Sequence, residues 1–214
     1  FLALTAGLLL FLAIDSIEES IEVSNENLAN SFNGSLLVAT VVVLSFLTLY
    51  YLGNKIVAKA DSLNFSKPVA IGLMISIGIG LHNFGEGLAI GAAVGIGSIA
   101  FSTFLIVGFA LHNTTEGIAI AAPMSRGKLM LGKLAIMGMI AGTPAIFGAW
   151  IGGFAYSPFT SVIFLAIGAG AIFQVILVLM KWIQKENDGN LSTLSVVSGF
   201  AIGMLVMYLT SILV

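Results

Sequence analysis

Long apolar runs dominate this chain, at 1–17, 36–53, 68–95, 98–122, 129–154, 159–181 and 194–214. A helix needs about 20 predominantly apolar residues to cross the hydrocarbon layer, and every backbone N–H and C=O inside the layer must find a partner within the span. The runs are continuous, not alternating, which argues against the strands of a membrane barrel. The sequence therefore predicts an all-α polytopic membrane helix bundle of seven spans, a single transmembrane domain over 1–214. Of the 214 residues 58% are hydrophobic and 8% charged. A soluble domain carries about 25% charge, so this chain could not cover a soluble surface. These figures exclude a secreted enzyme and a nucleic-acid binder. The absence of Cys excludes disulfides, thiolate metal sites and thiol nucleophiles.

The basic residues orient the bundle. All eight fall at three connections: Lys55, Lys59 and Lys67 after the second run, Arg126, Lys128 and Lys133 after the fourth, Lys181 and Lys185 after the sixth. With seven spans these connections share one side, and the positive-inside rule assigns it to the cytoplasm. The first run then starts inside and the C-terminus ends outside, in a multi-pass protein of the cell (plasma or inner) membrane. Pro68 suits a first helical turn, Pro144 should kink the fifth helix and Pro123 should close the fourth. Glycines four apart predict close helix contacts: Gly87, Gly91 and Gly95, Gly138 and Gly142, Gly148 and Gly152, Gly199 and Gly203.

Against this background the buried polar residues stand out. Asp61, Glu186 and Asp188 lie among the lysines and read as solvated surface. Glu86 and Glu116, with the only two histidines, His82 and His112, lie deep inside the third and fourth runs. Ionisable groups at that depth are costly and mark function. Their contexts repeat: His82-Asn83-Phe84-Gly85-Glu86-Gly87 and His112-Asn113-Thr114-Thr115-Glu116-Gly117. In each, His and Glu at i, i+4 share a helix face, with Asn at its edge. The histidines lie 15 residues either side of Gly97. An antiparallel hairpin would place them at one depth, roughly 20 Å from its turn at 1.5 Å per residue. Imidazole, carboxylate and amide oxygen without sulfur suit Zn²⁺, Fe²⁺, Mn²⁺ or Co²⁺ rather than Cu⁺, Ca²⁺ or Mg²⁺.

The doubled H-N-x-x-E-G turn resembles the ZIP (Zrt/Irt-like) family of divalent metal transporters, which has eight helices, both termini outside, and such turns in its fourth and fifth helices. The resemblance covers essentially the whole chain by span order. It implies that His82, Asn83, Glu86, His112, Asn113 and Glu116 bind the transported ion. It also implies that the chain acts as a homodimer, and that the family's first helix is missing before Phe1. No cofactor is implied; the divalent ion, zinc foremost, is cargo. The chain departs from the family at several points. Gly85 and Thr115 stand where many members have Pro. The fifth and sixth runs hold no acid that could complete a two-metal centre; Gln174 is the one strong polar group of the sixth. Residues 54–67 contain no His to sense metal.

Asp15, Glu18, Glu19, Glu22 and Glu26 fall at helical spacing with no base among them. If the first helix continues through them they form one stripe, with Asp15, Glu19 and Glu22 as candidates for an entry path and Gln174 as an auxiliary group. The expected function is transport of divalent transition-metal ions through the lipid bilayer by alternating access around the 68–95 and 98–122 helices, and not an enzymatic activity. The competing readings are an intramembrane metal-dependent hydrolase, whose H-E-x-x-H helix motif is absent, and a proton-conducting or structural membrane protein.

Overall fold

A computed structural model describes residues 2–28, 33–59, 66–124 and 131–212, with the side chains at 54, 56–59, 67, 111 and 112 outside the description. The described residues form α1 (Leu2–Leu28), α2 (Gly34–Lys59), α3 (Lys67–Gly95), α4 (Ile99–Ala121), α5 (Leu131–Ala155), α6 (Pro158–Glu186) and α7 (Leu194–Ser211), and hold no strand. Six of these helices, α2 to α7, are long and apolar enough to cross a membrane. The molecule thus has the helices of a multi-pass membrane protein. Helix α1 has the length, but its second half carries the acids. It does not stop at 17, as its apolar run does, and continues as helix through all five of them.

The remaining sequence signals divide. Pro68 occupies the first turn of α3. Pro123 lies in a short 3-10 turn, Ala122–Met124, beyond the end of α4. Pro144 lies inside α5, which stays one helix from Leu131 to Ala155. The hairpin between α3 and α4 turns where expected. Gly97 adopts φ 76°, a left-handed conformation that glycine enters without steric cost, and its N–H bonds Val94 O at 2.9 Å. Asp61, Arg126 and Lys128 lie outside the described residues, as do the side chains of Lys59 and Lys67.

Helix α3 is the most buried. It packs most extensively on α5, then on α6, and meets its hairpin partner α4 along less of its length. The glycine spacing explains the α3–α5 contact. A Cβ at Gly87 or Gly91 would overlap the carbonyls of Ala145 and Ala149. Reciprocally, a Cβ at Gly148 or Gly152 would overlap the carbonyls of Phe84 and Leu88. Backbones this close gain dispersion contact along the whole seam, which in lipid replaces the hydrophobic drive. Gly203 on α7 receives Leu4 of α1 in the same way. The Gly138–Gly142 pair does not behave as its spacing predicts: among the described residues nothing stands within 4 Å of an added Cβ at either, and both face out of the bundle.

Odd-numbered helices finish at one end of the bundle, beside Glu26 and Gly95, and even-numbered helices finish at the other, beside Lys55 and Lys185. We call these the acidic and basic ends. The half toward the basic end is filled mainly by apolar side chains, with Leu9, Leu12, Ile75, Ile79, Leu179 and Met207 almost wholly buried and Thr5, Ser76 and Gln174 buried among them.

Candidate metal centre

The acidic end holds a cavity of about 760 Å³. It opens between Ile96, Phe101, Tyr156 and Ser211 and reaches down to His82 and Glu86. Asp15, Glu19 and Glu22 line one wall, and among the described residues no Lys or Arg lines it. Glu18 and Glu26 are exposed and line no part of it. The acidic stripe therefore splits. At 100° per residue Asp15, Glu19 and Glu22 share a narrow face, Glu18 sits off that face, and Glu26 lies beyond the rim.

At the foot of the cavity lies the repeated turn. His82 Nε2 is 3.1 Å from Glu86 Oε1, one helix turn along α3. From α4, Asn113 Nδ2 donates to Glu86 Oε2 at 3.3 Å. Asn83 Nδ2 donates across the α3–α5 seam to Ala141 O at 3.1 Å. Its Oδ1, and that of Asn113, are buried and accept no hydrogen bond among the described residues. Glu116 is buried on α4 and interacts electrostatically with Glu86 and His82, with the Asn83 amide also beside it. Thr115, the residue before it, donates to Met207 Sδ at 3.2 Å and ties this turn of α4 to α7. The structure therefore joins His82, Glu86 and Asn113 directly and holds Asn83 and Glu116 beside them. The side chain of His112 lies outside the described residues. Among the described residues no three His, Asp or Glu side chains gather at one point.

Two features of the site escaped the sequence reading. Ser16 of α1 is buried and approaches His82 Nδ1 at 2.9 Å, while its own hydroxyl donates to Leu12 O at 2.7 Å. The available signal was Ser16, Ser20 and Ser24, four apart on one face of α1 and all buried. A polar stripe on the face opposite exposed acids is unusual for a helix packed in a bundle. The second feature is the rim, where Tyr156 and Ser211 come from the far ends of α5 and α7; no local pattern marks them. Gln174, expected as an auxiliary group, is not at the site. It lies buried against Gly53 and Met74. Met74 precedes His82 by eight residues, so Gln174 is roughly 12 Å nearer the basic end at 1.5 Å per residue.

Beyond His82 the bundle is shut. A second cavity, of about 440 Å³, opens at the basic end and is lined by Leu2, Ala3, Ala122 and Glu186 among others. Along α1 the two cavities are separated by the 12 residues from Ala3 to Asp15, roughly 18 Å of helix. That interval contains the buried Leu9 and Leu12.

Comparison with protein-family models, with characterised proteins and with solved structures finds no match to this chain.

Proposed function

We propose that this chain transports divalent transition-metal ions, zinc foremost, across a membrane by alternating access around the paired turns of α3 and α4. The observation that carries the reading is the foot of the cavity. There an imidazole nitrogen and a carboxylate stand side by side, with Asn113 Nδ2 on the same carboxylate; Asn83 Oδ1 and Asn113 Oδ1 are buried and accept no hydrogen bond among the described residues. A buried acceptor without a donor costs roughly 1–3 kcal/mol. A cation within reach of either oxygen would offset that cost there. Nitrogen and oxygen donors without sulfur match the borderline divalent metals, and the repeated turn is the one that resembles the ZIP pattern.

Access fits the same reading. The ion would enter over Asp15, Glu19 and Glu22 and stop at His82 and Glu86, with the apolar layer around Leu9, Leu12, Ile75 and Ile79 blocking passage to the basic end. The distribution of the lysines assigns the basic end to the cytoplasm, so this conformation is the outward-open half of a transport cycle. Crossing then requires the apolar layer to part while the outer cavity closes.

The reading is tested with purified protein in liposomes. His82→Ala and Glu86→Ala should each abolish ⁶⁵Zn²⁺ uptake while the protein still inserts and elutes as a folded species. Near-normal uptake by both variants removes the metal centre from its assigned place.

A further inference from the structure

The contact between α1 and His82 carries one step more. A serine hydroxyl has one proton to donate and two lone pairs. Ser16 Oγ lies 2.7 Å from Leu12 O. Two oxygens at that separation with no proton between them repel, so the Ser16 proton is committed to the Leu12 carbonyl. Toward His82, 2.9 Å away, Ser16 can then only accept. The proton it accepts is the one on Nδ1, and the ring's remaining nitrogen, Nε2, faces Glu86 at 3.1 Å.

We infer that Ser16 is the positioning residue of the metal centre: by accepting the Nδ1–H of His82 it holds the ring with Nε2 beside the Glu86 carboxylate, and the proton that Nε2 shares with Glu86 is the one the ion displaces. The inference rests on the proposed role of His82 as a ligand. The nitrogen of a ligating histidine that does not touch the metal usually donates to a neighbouring acceptor, which fixes tautomer and orientation. Here the acceptor comes from a different helix. Helix α1 carries the acidic wall at Asp15, Glu19 and Glu22 and, one residue past Asp15, the group that sets the geometry of the first ligand. Any shift of α1 against α3 would move the entry wall and release the histidine together. The serine is buried, and among the described residues its contact with the ring is its hydrogen bond to another helix.

The test uses the full chain in detergent micelles with ¹⁵N-labelled histidine. The chain has two histidines, and the His82→Gln variant identifies the signals of residue 82. Ring ¹⁵N–¹H correlations report which nitrogen holds the proton, without metal and with Zn²⁺ alone, and calorimetric titration gives the Zn²⁺ affinity. In wild type and in Ser16→Thr, which keeps the hydroxyl, the Zn²⁺-loaded ring should hold its proton on Nδ1. Ser16→Ala should lose the single tautomer and bind Zn²⁺ about 10- to 100-fold more weakly. Ser20→Ala removes a serine equally buried in α1, whose hydroxyl bonds Val162 O on α6 at 3.0 Å; it should leave tautomer and affinity unchanged. Wild-type tautomer and affinity in Ser16→Ala would overturn the inference, and so would equal losses in Ser20→Ala. A wild-type chain that takes up no Zn²⁺ would overturn the proposed function and this inference with it, and is recognised before any variant is compared.

Discussion

Neutralising Glu22 separates a cation-gathering wall from a merely solvated helix end. Glu22 lines the cavity and lies six residues beyond Ser16, the α1 residue in contact with His82. Six residues are about 9 Å along the helix axis. A carboxylate and a divalent ion 9 Å apart in water attract by about 0.9 kcal/mol. Screening lengths of about 30, 10 and 3 Å at 0.01, 0.1 and 1 M salt reduce this to roughly 0.7, 0.4 and under 0.1 kcal/mol. Glu22→Gln keeps the shape and removes the charge. Its apparent KM for Zn²⁺ should therefore rise about threefold at 0.01 M salt, about twofold at 0.1 M and not at all at 1 M, since about 1.4 kcal/mol is a factor of ten. The maximal rate should hold, because Glu22 touches neither His82 nor Glu86. The assay is initial ⁶⁵Zn²⁺ uptake into liposomes across a series of inert salt concentrations. An unchanged KM at the lowest salt, or a difference that persists at 1 M, refutes the electrostatic argument.

Three further outcomes follow from the same geometry. Metal ligands bind in their deprotonated forms and a free imidazole titrates near 6.5, so Zn²⁺ affinity should fall from pH 7 to pH 5, by up to about tenfold per unit for each ligating imidazole; a flat calorimetric profile would remove the histidines from the ligand set. Cysteine introduced at Glu26 should react with an impermeant reagent from outside the cell and cysteine at Lys185 only from the cytoplasm; the reverse pattern would invert the assigned orientation. Gly91→Val should lower thermal stability in detergent by about 1–3 kcal/mol, because its side chain enters the space of the Ala149 carbonyl. Gly142→Val, with nothing among the described residues within 4 Å of its Cβ, should have little effect, and equal losses from both would mean that the α3–α5 seam is not what the glycines serve.

Helix order was readable because bilayer thickness sets a minimum length for every span and keeps the basic residues near the connections. Packing was less readable. Glycines four apart mark a face that permits close approach and do not name its partner: Gly87 and Gly91 meet α5, whereas Gly138 and Gly142 meet nothing within the described bundle. The hairpin sets the depth of α3 against α4, yet α3 gives its small-residue face to α5. For the site, sequence spacing sufficed wherever the ligands share a turn, as His82 and Glu86 do. It also sufficed where a short turn sets the depth, as with Asn113 reaching Glu86. Ser16 is 66 residues from His82, and nothing in the periodicity of α1 states which helix its serine face will touch. Gln174 illustrates the opposite case. A lone amide in an apolar helix signals a polar environment, but its depth, about two turns from His82, is settled by how α6 slides along α3.

The most direct measurement of the central claim is ⁶⁵Zn²⁺ flux into liposomes that contain only the purified wild-type chain, with a trapped pH indicator to follow protons. The account expects saturable zinc accumulation above protein-free liposomes, lost in Glu86→Gln. No zinc entry by a folded wild-type chain, or proton entry without zinc, would contradict it.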